Sequence, residues 1–192
     1  MRIESIHSYR EEMKEMKEKD PVGISPDEAG LMMPAHVRPG QIMGLVDVTA
    51  ELGTLTDLAR LADELGDDID TLLPMLDTAE MLGLVEVKKG IVSLTLLGSR
   101  FQKAPRNKLH LIREQLLRLE PFKTAFELAA HSHALSSEEV TKNLSKRCII
   151  WHHEPELNEA AVQGLLVHWT IFAGLLRYNG KTGKFQRTRD QQ

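Results

Sequence analysis

Apolar positions recur every three to four residues from Gly40 onward, and this spacing organises the first half of the chain into helices. Ile42, Leu45, Val46, Thr49 and Leu52 fall on one helical face, and Gly53 ends the run. Thr54 is placed to cap a second helix with Leu58, Leu61, Ala62 and Leu65 inside, closed by Gly66. A third carries Leu72, Leu73, Leu76 and Ala79 and stops at Gly83. Proline is tolerated only near a helix start, so Pro74 places the cap of this helix at Asp70 rather than earlier. Leu84–Val87 and Ile91–Leu94 then flank a Lys88-Lys89-Gly90 turn, the pattern of a hairpin. Three short helices followed by a hairpin is the order of a winged helix.

The second half repeats the theme less cleanly. Leu109, Ile112, Leu116 and Leu119 predict a helix over 107–119, broken or kinked at Pro121 and continued by Phe122, Ala125, Phe126 and Ala129. Ser136 and Glu139 have the spacing of a capping box and start a short helix through Ser145. After Pro155 an apolar helix is predicted over 158–176, with Leu165, Trp169, Phe172 and Leu176 stacked on one face. Leu166, Ile171 and Ala173 lie elsewhere on its circumference, so more than one neighbour must cover it. Trp169, Phe172 and Leu176 are therefore candidates for a protein interface, with burial of the indole in the chain's own core as the competing reading. Tyr178 to Phe185, with Gly180 and Gly183, closes the chain with a second hairpin.

The fold expected is mainly α with small β-hairpins, an α+β arrangement of tandem winged-helix-like domains. A charged lead-in helix (5–19) and linker occupy residues 1–37, the first domain 38–104, and the second 105–192.

Composition is that of an ordinary globular protein, with 42% hydrophobic and 27% charged residues. A single cysteine, Cys148, excludes an internal disulfide framework and points to a reducing, cytoplasmic setting. No apolar run approaches the ~20 residues that span a bilayer, so no transmembrane segment is expected. The net charge is -4, and it is unevenly spread. Residues 1–37 hold five Lys/Arg against eight Asp/Glu, residues 38–104 six against eleven, and residues 105–192 thirteen against nine.

Candidate chemistry is sparse. Neither phosphate-binding glycine motif occurs, so no direct nucleotide binding is expected. His131, His133, His152 and His153 could bind zinc only if their two segments met, and their spacing fits no closed zinc motif. Solvated loop histidines are the default. His168 reads as a satisfied core or interface residue. Cys148, between Arg147 and two isoleucines, reads as a buried, inert thiol. Asp63-Glu64 and Asp67-Asp68 read as a solvated face and a helix start. No enzyme activity, cofactor or metal is expected.

A winged helix that reads DNA needs Lys or Arg on its third helix. From Thr54 to Glu86 there are nine acidic residues and only Arg60 opposing them, a surface that phosphates repel. In the second half Lys181, Lys184, Arg187 and Arg189 decorate the wing and are the candidate nucleic-acid contacts, but the preceding helix is too apolar for a groove.

Several stretches resemble the AAA-associated C-terminal domain carried by ATP-binding subunits of nitrate/sulfonate/taurine-type ABC transporters. They are Met33-Pro-Ala-His-Val-Arg-Pro-Gly-Gln-Ile-Met-Gly-Leu45, Asp57–Leu65, Asp70–Leu76 and Leu94-Thr-Leu-Leu-Gly98, then His168-Trp169 and Tyr178–Gly183. The resemblance implies a non-catalytic accessory or regulatory interaction module whose partner is a transporter ATPase subunit, or a second copy of itself. It places the chain at the membrane only through a transporter complex. The alternative is a winged-helix DNA-binding transcriptional regulator.

Overall fold

The computed structural model describes residues 32–188 apart from 54, 105 and 133. The lead-in helix and Thr54 lie outside the described residues. Helix α1 (Pro39–Leu52) buries Ile42, Leu45, Val46 and Thr49, the face its periodicity predicts. A two-residue strand, β1 (Thr56–Asp57), leads into α2 (Leu58–Leu65), and Asp57 caps that helix by accepting from Arg60 N at 2.9 Å. Helix α3 (Ile69–Met81) follows, then β2 (Val85–Lys88) and β3 (Ile91–Leu94). Lys89 (φ 53°) and Gly90 (φ 77°) are both left-handed, the backbone that a two-residue hairpin turn demands.

Two helix caps in this half differ from expectation, and that of α2 is Asp57 rather than Thr54. The cap of α3 is Asp68, which accepts from Thr71 N at 2.7 Å, and not Asp70. Pro74 consequently lies inside the helix and leaves the Asp70 carbonyl without its helical donor. Asp70 is exposed, so the site faces water.

Helices α4 (Leu96–Lys103) and α5 (Lys108–Leu116) connect the halves. The expected long helix stops there. Residues 117–121 turn through a cis Glu120–Pro121 bond, and α6 (Phe122–His131) is a separate helix. It is followed by β4 (Leu135–Ser136), α7 (Ser137–Ser145) and α8 (Pro155–Leu165). Helix α8 widens into a π segment (Leu166–Thr170) before β5 (Leu176–Asn179) and β6 (Lys184–Arg187). The apolar helix therefore ends short of Leu176, which is the first residue of a strand. Gly174, at φ 64°, reverses the chain, with Leu175 N donating to Thr170 O and Gly174 N to Ile171 O.

The two halves share one topology: helix, two-residue strand, helix, helix, hairpin. Their antiparallel sheets are ordered β1-β3-β2 and β4-β6-β5. Even the last helix ends alike in each. Gly83 (φ 68°) and Leu84 close α3 through the bonds Gly83 N to Glu80 O and Leu84 N to Ala79 O, as Gly174 and Leu175 do in the second half. Short strands β1 and β4, absent from the sequence reading, pair with the far strand of each hairpin.

The stretch before α1, expected to be a linker, is instead core. Met33 and Val37 are 0% and 1% exposed. Both tryptophans hold it, since Trp151 Nε1 donates to Met33 O at 2.9 Å and Trp169 Nε1 to Val37 O at 3.2 Å. Residues 33–37 therefore form a strap that leaves the second unit and runs directly into the central helix of the first. From the other side, the Arg113 guanidinium donates twice to Ala173 O, at 3.1 and 3.0 Å, and Lys108 reaches Asp47 on α1 at 3.5 Å. Buried apolar residues of both units belong to one contiguous core.

Candidate interaction surfaces

The surface of α2 and α3 is acidic by construction. Asp63, Glu64, Asp68 and Asp70 are exposed, and the Asp68 carboxylate is held below its usual range by hydrogen bonds from Thr71. Leu61, Leu72, Met75 and Leu76 face inward, so the helix that would enter a DNA groove turns only acid and neutral residues outward. Glu80 also spends its side chain internally, accepting from Val87 N at 2.7 Å at the free edge of β2.

The four cations proposed for the second wing are not equivalent. Arg187 lies over the Phe126 ring at 3.9 Å and donates twice to Phe126 O, at 3.2 and 2.8 Å. It fastens the hairpin to α6 rather than offering a free charge. Lys184 is half-buried and 3.9 Å from Glu139. Lys181 is exposed at the turn, joined by Arg177, which the sequence reading did not single out, beside a shallow groove with Asn179 and Gln186. Arg189 lies outside the described residues.

Of the interface candidates, Trp169 and Leu176 are each 1% exposed and Phe172 is half-buried. Trp169 is taken up inside the chain against the strap, and Leu176 is buried as part of the second hairpin rather than on the helix. The outward-facing apolar side chains are different ones: Leu55 at 72% and Leu96 at 71% exposure lead, followed by Leu109, Leu157 and Ile171. Leu55 immediately precedes β1 and Leu96 opens α4 two residues after β3, so both flank the β1–β3 side of the first sheet. Helical periodicity could not expose them, because one lies outside a helix and the other at its first position.

His131, His152 and His153 are exposed, and His133 lies outside the described residues. No group of three or more His, Cys, Asp or Glu side chains is arranged to hold a metal among the described residues. Cys148 departs from its expected burial. It follows the end of α7 with φ 59°, a left-handed residue that turns its side chain to solvent. Its neighbour Arg147 reaches back to Glu120 at 3.0 Å and to Thr124, tying the turn to the start of α6.

His168, in the π segment, is partly buried, and burial followed by the nearby Arg38 cation lowers its pKa below the ordinary value of 6.5. The unfolded chain then binds the proton more readily, so this group's contribution to stability is full above about pH 6.5 and is lost as the pH falls below it. Melting temperature is expected to fall between pH 7 and pH 5, and less steeply in His168→Gln. Equal slopes in the two proteins would rule His168 out as a source of the pH dependence.

Residues 59–179 match the C-terminal AAA-associated domain, more than half of the chain. The chain belongs to that family. The match begins inside α2 of the AAA-associated domain and ends with β5, so it covers parts of both repeated units and α4–α5 between them, with α1, β1 and β6 outside it. Neither the curated proteins nor the solved structures yield a match. No helix among the described residues is long and apolar enough to cross a membrane.

Proposed function

We propose that this AAA-associated domain is a non-catalytic, regulatory interaction module that docks on the ATPase subunit of an ABC transporter of the nitrate/sulfonate/taurine type. It would work in the cytoplasm, meeting the membrane only through that complex. Each half is read as a winged helix turned from nucleic-acid recognition to protein contact. The family name supports the ATPase as partner. The observation that carries the docking surface is the exposure of Leu55 and Leu96, both above two-thirds, on a unit whose α2 and α3 turn mainly carboxylates outward. Apolar side chains left in water beside a sheet are what a protein partner covers. The rival reading, a DNA-binding regulator, is weakened because Arg187 is already committed to Phe126 and the third helix presents no cation.

The purified ATPase subunit is expected to be retained on the immobilised chain. Leu55→Asp/Leu96→Asp should lose that retention with its melting temperature little changed, since neither side chain is buried. Failure of the wild type to retain the ATPase, together with enrichment of one duplex sequence from a random pool, would replace this function with the rival one.

A further inference from the structure

The strap and the π segment meet at one hydrogen bond, and their geometry couples two distant parts of the fold. A π turn accommodates one residue more than an α turn and is seldom found without a local reason. Here it spans Leu166–Thr170, and Trp169 within it donates to the strap at Val37. Its far end leads, within six residues, to the second hairpin at Leu176. If those turns closed to regular α geometry, everything after them would rotate by about 100°, the angle of one helical residue. The Trp169 indole would swing away from Val37, and the hairpin would be re-aimed unless Gly174 absorbed the change.

We propose that residues 33–37 act as a latch. Seated, the strap holds the π turn open through Trp169 and fixes the aim of the second hairpin. Withdrawn, by any displacement of the chain that precedes Met33, it lets the helix regularise and the hairpin move. Trp151 anchors the upstream end of the strap at Met33, so displacement arriving along the chain meets the second unit before it meets α1. This device does not depend on which partner the module docks on.

Hydrogen exchange on the full chain tests it from both sides. Trp151→Phe/Trp169→Phe removes both N–H donors and keeps an aromatic ring at each position, while Met33→Ala/Val37→Ala weakens the strap without altering a residue of the second unit. In both variants the amides of 166–179 are expected to exchange at least roughly tenfold faster, the factor that loss of the Trp169–Val37 hydrogen bond alone corresponds to. Amides of α2, α3 and the first hairpin should keep their wild-type rates. A strap-side variant that leaves 166–179 at wild-type exchange would overturn the latch. Uniform acceleration across both units would also overturn it, because the strap would then be an ordinary part of one global fold.

Discussion

Gly98→Ala is expected to remove about 3 kcal/mol or more of stability, among the largest losses available from adding one methyl group. A Cβ on Gly98 would lie 1.9 Å from Leu84 O and 2.9 Å from Leu84 C. Both are backbone atoms of the turn that closes α3, so no side chain can swing aside. Hydrogen bonds from Thr95 press the start of α4 onto that turn, and another ties Gly98 to the capping hydroxyl. Thr95 N donates to Leu84 O at 3.0 Å, the Thr95 hydroxyl donates to Gly83 O at 2.6 Å, and that hydroxyl accepts from Gly98 N at 2.9 Å. Relieving the clash means prising the helix off and losing these contacts. Overpacking a tight core costs ~1–3 kcal/mol, and more where the backbone itself must shift. At ~2–4 °C per kcal/mol for a chain of this size, the melting temperature should fall by roughly 6–12 °C. Gly44 on α1 and Gly164 on α8 supply the control, since an added Cβ meets nothing within 4 Å at either. Gly44→Ala and Gly164→Ala should be neutral or stabilising by up to ~1 kcal/mol, the helix-propensity difference. A Gly98→Ala protein that melts with those controls would show that α4 does not sit this close to the turn.

Gly98 also shows what kind of information a single chain exposes. In the sequence it is the last residue of Leu94-Thr-Leu-Leu-Gly98, a stretch visible only as a family likeness. The reason for a glycine there is an approach to Leu84, fourteen positions back, that no periodicity reports. Features that depend on neighbours three or four residues away were legible. The inner faces of α1 and α2, the position of the first hairpin turn, and the Ser136–Glu139 capping box all appear where the pattern puts them. Features set by pairing across the fold were not. Strands β1 and β4 have two residues each, too few to show alternation, and exist because the far strand of each hairpin offers them an open edge. The strap reads as a Pro- and Gly-flanked linker, and only indoles 118 and 132 positions away reveal it as core.

Some signals are present in the chain but outweighed by their neighbours. Gly66 and Gly83 read as helix stops, whereas Gly174 does not, because Leu175 and Leu176 prolong the apolar run. That run changes from helix to strand without changing composition, and Leu176 moved from a supposed helical interface to a buried strand position. Leu55 and Leu96 failed to stand out for the opposite reason. A leucine beside a strand or at the first turn of a helix ordinarily packs inward, and only the folded surface reveals that these two do not.

Trp169→Ala should be the most damaging single truncation in the second unit. The indole is 1% exposed, and removing an aromatic side chain from a packed core costs ~3–5 kcal/mol. Here the loss is compounded, because Val37 O would be left buried without its donor, adding ~1–3 kcal/mol. Against the ~5–15 kcal/mol that separates native from unfolded states, the variant should be largely unfolded or melt far below the wild type. Trp169→Phe keeps most of the volume and should lose only ~1–3 kcal/mol, chiefly from the Val37 O left without its donor. Phe172→Ala, at a half-buried position on the same helix, should fall between them. An interface role for the indole demands the reverse pattern, a Trp169→Ala monomer that melts like the wild type but has lost self-association or its partner. Thermal melting, light scattering and partner retention, measured on the same three variants, distinguish the two. A Trp169→Ala protein with unchanged melting would remove the indole from the core, and with it the hold of the second unit on the strap.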